Sequence, residues 1–310
     1  MEEIKSRSPE EHARLMFAMR ISLALGVVML VFKGVGAWIS ESVAVLSDAA
    51  ESVVHIVAVG FAYFSLRLSF KPADATHPYG HAKIAFFSSG VEGALITGAA
   101  TFVAYEAVSD LVRQPRISRP DVGLWFTVVV VILTGIVGLY LLRIGKKQRS
   151  IVLEANGQHV LADCYTSLGV IAGLILTWTT GWKYWDPICA SVVSVNMGWV
   201  GLNLMSRSVH GLMDRVNPEF GEKLETVLRM EVESRGVKFH KLRYRDLGDS
   251  LWVEVHLLFP KGVLLKEAHL MATEIEQAVT ATFETSVHLS THLESIEDHD
   301  TVHSSHEVEG

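Results

Sequence analysis

Cysteine is scarce in this 310-residue chain, and the scarcity excludes two chemistries. Only Cys164 and Cys189 are present, both in apolar segments and without CxxC spacing, which leaves neither a disulfide framework nor a thiolate metal site. Charge is also thin: 20% of residues are Asp, Glu, Lys or Arg against 49% hydrophobic, a balance that points to a membrane protein. There is no basic excess. The net charge is −7 at pH 7, with no aromatic and arginine signature beside it, so nucleic acid is not a partner. Nothing resembles HExxH, which argues against an intramembrane metallohydrolase. What the chain has instead is 14 histidines, and long uncharged runs that nearly all lie before Ser208.

Val122 to Leu142 and Pro187 to Ser206 are each about the 20 uncharged residues that cross a hydrocarbon core as a helix. Four further apolar segments carry isolated polar residues: Leu15 to Ile39, Val43 to Leu66, Ala85 to Val112 and Leu153 to Thr180. The expectation is six transmembrane helices. The first is too long for the h-region of a signal peptide and lacks a small-residue cleavage pattern, so the mature chain should keep it. Basic residues in the short connections set the orientation. Lys5, Arg7, Arg14, Lys71, Lys83, Arg143, Lys146, Lys147 and Arg149 fall on one side, outweighing Arg113, Arg116 and Arg119 on the other. That side should be the cytosol, with both termini in it.

After the sixth segment the pattern changes. Asn217, Pro218 and Glu219 supply an N-cap, a first-turn proline and a first-turn acid for an amphipathic helix to about Ser234. Val237 to Arg245 and Leu251 to Phe259 read as strands around a turn at Leu247, Gly248 and Asp249. Lys266 to Phe283 reads as a helix and Ser286 to Glu294 as a last strand, giving the order α-β-β-α-β. The expected organisation is a cytosolic N-terminal segment (1–13), a six-helix transmembrane bundle (14–212) and a cytosolic α+β domain (213–295). A disordered tail (296–310) containing His299, His303 and His306 would follow.

Ionisable groups inside a membrane are costly, and their presence marks function. In the fifth segment His159 and Asp163 are four residues apart, which stacks an imidazole and a carboxylate on one helix face. In the second segment Asp48, Ser52 and His55 form a polar stripe, with Glu51 adjacent. Two such helices together would offer nitrogen and oxygen ligands suited to zinc, manganese or ferrous iron rather than calcium. Between the second and third segments, Asp74, His77 and His81 place three potential ligands in a loop turned by Pro78 and Gly80. His256 alternates with Val255 and Leu257, and His292 and Glu294 share one face of their strand, as ligands on a sheet surface would.

The stretches SVAVLSDAAES, PADATHPYGHAK, HVLAD and LMDRVNPE, in that order between about Met16 and Glu294, resemble the cation diffusion facilitators. The resemblance implies a homodimeric, proton-coupled exporter of zinc or a related divalent cation (Fe2+, Mn2+ or Cd2+), seated in the inner membrane of a bacterial cell and contacting its lipids. It also implies a cytosolic ferredoxin-like domain that binds metal at the dimer interface. Carried over by position, the transport site is Asp48, His159 and Asp163, and the loop site Asp74, His77 and His81. The cytosolic site is His240, His256, His269, His292 and Glu294, while Lys83 and Asp214 form a charge interlock near the membrane surface.

The sequence departs from the family pattern twice. Ser52 stands where a second aspartate is usual, so the fourth ligand must come from Ser52, Glu51, His55 or water. Lys241 stands where an acid is frequent. Helix geometry puts Ser52 about 40° and His55 about 20° from Asp48 around the axis, but His55 about 10 Å along it, so Ser52 is the expected contributor, directly or through water. The expected mechanism is alternating access: metal displaces protons from the ligands on the cytosolic side, and external protons displace the metal on the other. Metal on the cytosolic domain would bias that cycle. A membrane-bound sensor that binds without transport is the rival reading, and it has no need of ligands at bilayer depth.

Overall fold

The computed structural model describes residues 8–40, 43–113, 123–182, 184–216, 218–247, 250–283 and 286–296. The expected N-cap Asn217, the turn residues Gly248 and Asp249, and the tail beyond Ile296 lie outside them, as do the side chains of Asp48, Glu51 and Ser52. The chain forms two units that divide between Leu212 and Met213.

The first unit holds six helices: α1 (Pro9–Ser40), α2 (Val43–Ser69), α3 (Ile84–Arg113), α4 (Gly123–Lys147), α5 (Ile151–Thr180) and α6 (Trp185–Leu212). The first begins ahead of the apolar run from Leu15, because Ser8 and Glu11 make a capping box. The Ser8 N–H donates to Glu11 Oε2 at 3.0 Å, and the Glu11 N–H donates to Ser8 Oγ at 3.2 Å. Among the described residues five stretches are long and apolar enough to cross a membrane: Pro9–Val31, Ile84–Val112, Val128–Lys147, Ile151–Thr180 and Pro187–Leu212. The described part of α2 adds a shorter apolar helix, His55–Ser69.

The bundle is apolar outside, and its largely apolar core also encloses polar groups. Ser65, Ser88, Ser89, Glu92, Asn156 and Ser208 are buried, while Phe102, Val195 and Trp199 are exposed on outer faces. That distribution suits hydrocarbon as solvent, where the outer surface gains nothing from polar groups and buried polar groups must satisfy each other. α5 is the central element and touches all five other helices. α3 and α6 pack with backbones nearly in contact: a Cβ at Gly93 would lie 2.8 Å from the Gly201 carbonyl oxygen. Glycine is required at that crossing.

The second unit has α7 (Pro218–Glu233), β1 (Lys238–Asp246), β2 (Ser250–Phe259), α8 (Leu265–Ala281) and β3 (Ser286–Ser295). The sheet order is β1-β2-β3, with β1 antiparallel and β3 parallel to β2. A parallel neighbour needs a crossover, and α8 supplies it. Leu224 and Leu228 of α7, Val253, Val255 and Leu257 of β2, and Ile275 and Val279 of α8 form one buried core. Both helices therefore cover one face of the sheet. Alternation along β2 leaves Glu254 and His256 on the other face. A register shift between His240 and Arg243 interrupts β1, and Lys241 inside it has a positive φ of 50°. The architecture is thus a helical membrane bundle followed by a ferredoxin-like α+β domain.

Candidate metal sites

Three clusters of imidazole and carboxylate groups form among the described residues. In the bundle, His55 of α2 meets His159 and Asp163 of α5, and one donor atom from each lies within 4.8 Å of the others. His55 Nδ1 is 3.6 Å from Asp163 Oδ2, and the rings of His55 and His159 are 4.7 Å apart. Both histidines are largely buried, but the Asp163 side chain is 49% exposed, which leaves the cluster open on that side. His159 and Asp163 come together through their four-residue spacing. His55 joins them because α2 crosses α5, so axial distance from Asp48 along α2 alone does not measure its reach.

The second cluster is the loop before α3. Asp74 organises it: Oδ1 accepts from the Thr76 N–H at 2.9 Å, the Thr76 hydroxyl at 2.7 Å and the His77 N–H at 2.9 Å. Gly80, at φ 82°, closes the following turn by donating its N–H to the His77 carbonyl at 2.9 Å. His77 Nδ1 and His81 Nε2 lie 3.5 and 3.6 Å from the Asp74 oxygens, and their rings are 4.2 Å apart. Lys71 Nζ donates to Asp74 Oδ2 at 2.6 Å. That ammonium group, followed by the Thr76 and His77 donors, holds the Asp74 carboxyl well below the usual carboxylate range. The carboxylate is ionised but already carries a cation.

The third cluster is built by strand pairing. His240 pairs with His256 and His256 with His292, so three histidines stand in one row across the sheet face that the helices leave uncovered. Glu294 reaches back beneath them, its side chain 7% exposed. Its Oε1 accepts from His256 Nδ1 at 2.5 Å and its Oε2 from His240 Nε2 at 2.9 Å, while His292 Nε2 is 3.7 Å from Oε1. Burial would raise the Glu294 carboxyl, but the hydrogen bonds and charges of His256 and His240 outweigh it and hold the group at about 2. His269 is not among them. It is exposed on α8, which covers the opposite face of the sheet, so a single chain does not unite it with the strand histidines. Lys83 precedes α3 and Asp214, at φ 57°, follows α6; they belong to different units.

A group missed in the sequence is Glu92 of α3, which is 1% exposed. Its Oε2 lies 2.9 Å from His159 Nδ1, and its Oε1 accepts from Asn156 Nδ2 at 3.4 Å. Asn156 Oδ1 in turn accepts from the Ser22 hydroxyl of α1 at 2.5 Å. A carboxylate in the middle of an apolar helix was the signal that could have found it.

A helical membrane bundle and a small α+β domain, each carrying imidazole–carboxylate clusters, define a membrane protein that handles metal cations. The comparisons agree: residues 19–213 match the cation efflux transmembrane domain, and residues 218–296 match the cytoplasmic domain of cation efflux proteins. The chain belongs to this cation efflux family, the cation diffusion facilitators, whose members are transporters rather than enzymes. Its relatives include an uncharacterized transporter, sll1263, of Synechocystis, 36% identical over 260 residues covering 84% of each chain. The magnetosome protein MamB of Magnetospirillum gryphiswaldense is 29% identical over 254 residues, covering 82% of this chain and 84% of that protein. The cation-efflux pump FieF of Salmonella arizonae is 27% identical over 261 residues, covering 84% of this chain and 86% of the pump.

Proposed function

We propose that this membrane cation-efflux protein exports zinc from the cytosol in exchange for protons, working as a homodimer in a bacterial inner membrane with both termini cytosolic. The observation that carries the reading is the meeting of His55, His159 and Asp163 between α2 and α5 inside the bundle. Two imidazoles and a carboxylate suit a tetrahedral zinc site, with Asp48 as the fourth ligand from the same stripe of α2 as His55. His55 is included because an imidazole is a better zinc ligand than a hydroxyl and it already lies 3.6 Å from Asp163.

Metal and proton compete for the same atoms. A ligand must lose its proton to bind zinc, so loading from the cytosol releases protons and protonation from the other side releases zinc. Because the ligands come from two helices, a shift of α2 against α5 alters the site and can expose it to one side or the other. The loop cluster and the cytosolic row serve as further zinc sites, the latter biasing the transport cycle when occupied.

Proteoliposomes loaded with a pH indicator test this reading. Zinc added outside inward-facing protein should drive proton movement opposite to zinc movement, and His159→Ala should stop both. Zinc movement without a proton counterflux would refute the exchange, and flux of manganese or iron well above that of zinc would refute the substrate.

A further inference from the structure

The fully buried carboxylate of Glu92 has no counterpart among the ligands proposed above, and it stands behind one of them. From α3 its Oε2 sits 2.9 Å from His159 Nδ1 of α5, an ion-pair distance at which the two buried atoms are not aligned as a hydrogen bond. Its other oxygen is held by Asn156, which is held by Ser22, so three helices fix its position. An imidazole has two nitrogens, and the one engaged by Glu92 is not available to a cation. With Nδ1 beside Glu92, Nε2 is the nitrogen that would serve a cation.

We propose that Glu92 is the positioning residue of the transport site: its Oε2, already at ion-pair distance from His159 Nδ1, takes the Nδ1–H as a hydrogen bond when metal loads, sets the ring's tautomer and angle, and makes Nε2 the metal ligand. This rests on the reading of His159 as a zinc ligand. The physical ground is general: a ligating histidine gains basicity and a fixed orientation when its second N–H meets a carboxylate, and loss of that partner costs about 10–100-fold in metal affinity. Full burial strengthens the contact, since little water is at hand to replace it. The Ser22–Asn156–Glu92 chain also ties α1, α3 and α5 to the orientation of one ring. Asn156, one turn before His159 on α5, donates to the other carboxylate oxygen, Oε1.

The test is zinc flux in proteoliposomes holding the full-length protein, with KM and maximal rate per inserted molecule measured separately. Glu92→Leu should raise the KM for zinc by about 10–100-fold. Glu92→Gln keeps the length and an acceptor oxygen without the charge, and should return KM to within about fivefold of the parent, the difference between a charge-assisted and a neutral hydrogen bond. Glu92→Asp keeps the charge but is about 1.5 Å too short, and should resemble the leucine variant. A residue needed only for folding would lower the amount inserted and leave KM alone. Should Glu92→Leu not insert, the unbranched Glu92→Met carries the same expectation. An unchanged KM in the leucine or methionine variant, or rescue by Asp but not by Gln, would overturn the proposal while loss of flux in His159→Ala upheld the site. Full flux in His159→Ala would overturn both.

Discussion

The bundle and the C-terminal domain solve the same problem, holding histidines beside a carboxylate, with opposite solvents and different scaffolds. In the bundle large apolar side chains cover the outer surface as well as filling the core, and polar groups are enclosed within; in the domain the aliphatic residues of β2 are buried under α7 and α8. The bundle's cluster joins two helices whose ligands are linked only by side-chain contacts. The domain's cluster is a row across a paired sheet, so main-chain hydrogen bonds set the spacing of His240, His256 and His292. A helix-borne site can be opened by sliding one helix on another. A strand-borne site can be filled or emptied but not easily rearranged. The first suits transport and the second suits sensing.

The comparison breaks most sharply if the bundle site is dispensable. His159→Ala, Asp163→Ala and His55→Ala should each lower zinc flux by about 100-fold or more, beyond the 10–100-fold typical of residues that only orient a ligand. Ser52→Ala should cost only a few-fold. Reconstituted flux normalised to inserted protein checks both, and the reverse ranking of His55 and Ser52 would return the fourth contact to the serine.

The sheet-borne site is tested on the domain from Asp214 onward, which has its own core. Zinc at 100 times its dissociation constant should stabilise the domain by about 2.7 kcal/mol, read as a rise in melting temperature. Glu294→Ala should remove most of that rise. It should also destabilise the metal-free domain by about 1–3 kcal/mol, because His240 and His256 lose a buried acceptor. His269→Ala should leave the zinc response of a single domain in place, since the fold puts that residue on the far side of the sheet.

Smaller effects separate the loop from both. Lys71 already neutralises Asp74 at 2.6 Å, so zinc must displace an ammonium group there. Lys71→Met should tighten zinc binding at the loop by no more than about fivefold, the range of an exposed ion pair. Titration calorimetry of the full-length protein carrying His159→Ala and Glu294→Ala would isolate that site. Truncation after Ile296 should change flux least of all, and a large loss at normal membrane levels would show that the tail takes part.

Much of this protein is legible one residue at a time. The apolar runs announce the spanning helices because a membrane demands about 20 such residues, and the four-residue spacing of His159 and Asp163 announces a shared helix face. The period of two in β2 likewise puts His256 opposite the core, whatever the strand pairs with. Local periodicity carries these because a helix or strand fixes which of its own residues point together.

Which residues of different elements meet is another matter, and only the tertiary structure decided it. Helix crossing brought His55 to Asp163, a meeting that rise along α2 alone does not record. Strand register set three histidines from β1, β2 and β3 in line, while the side of the sheet taken by α8 separated His269 from them. Glu92 is the clearest case. Its neighbours His159 and Asn156 lie on α5, and Asn156 links on to Ser22 of α1. Contacts between elements depend on the angle and register of packing, which side-chain volumes across the whole core determine and no local pattern records.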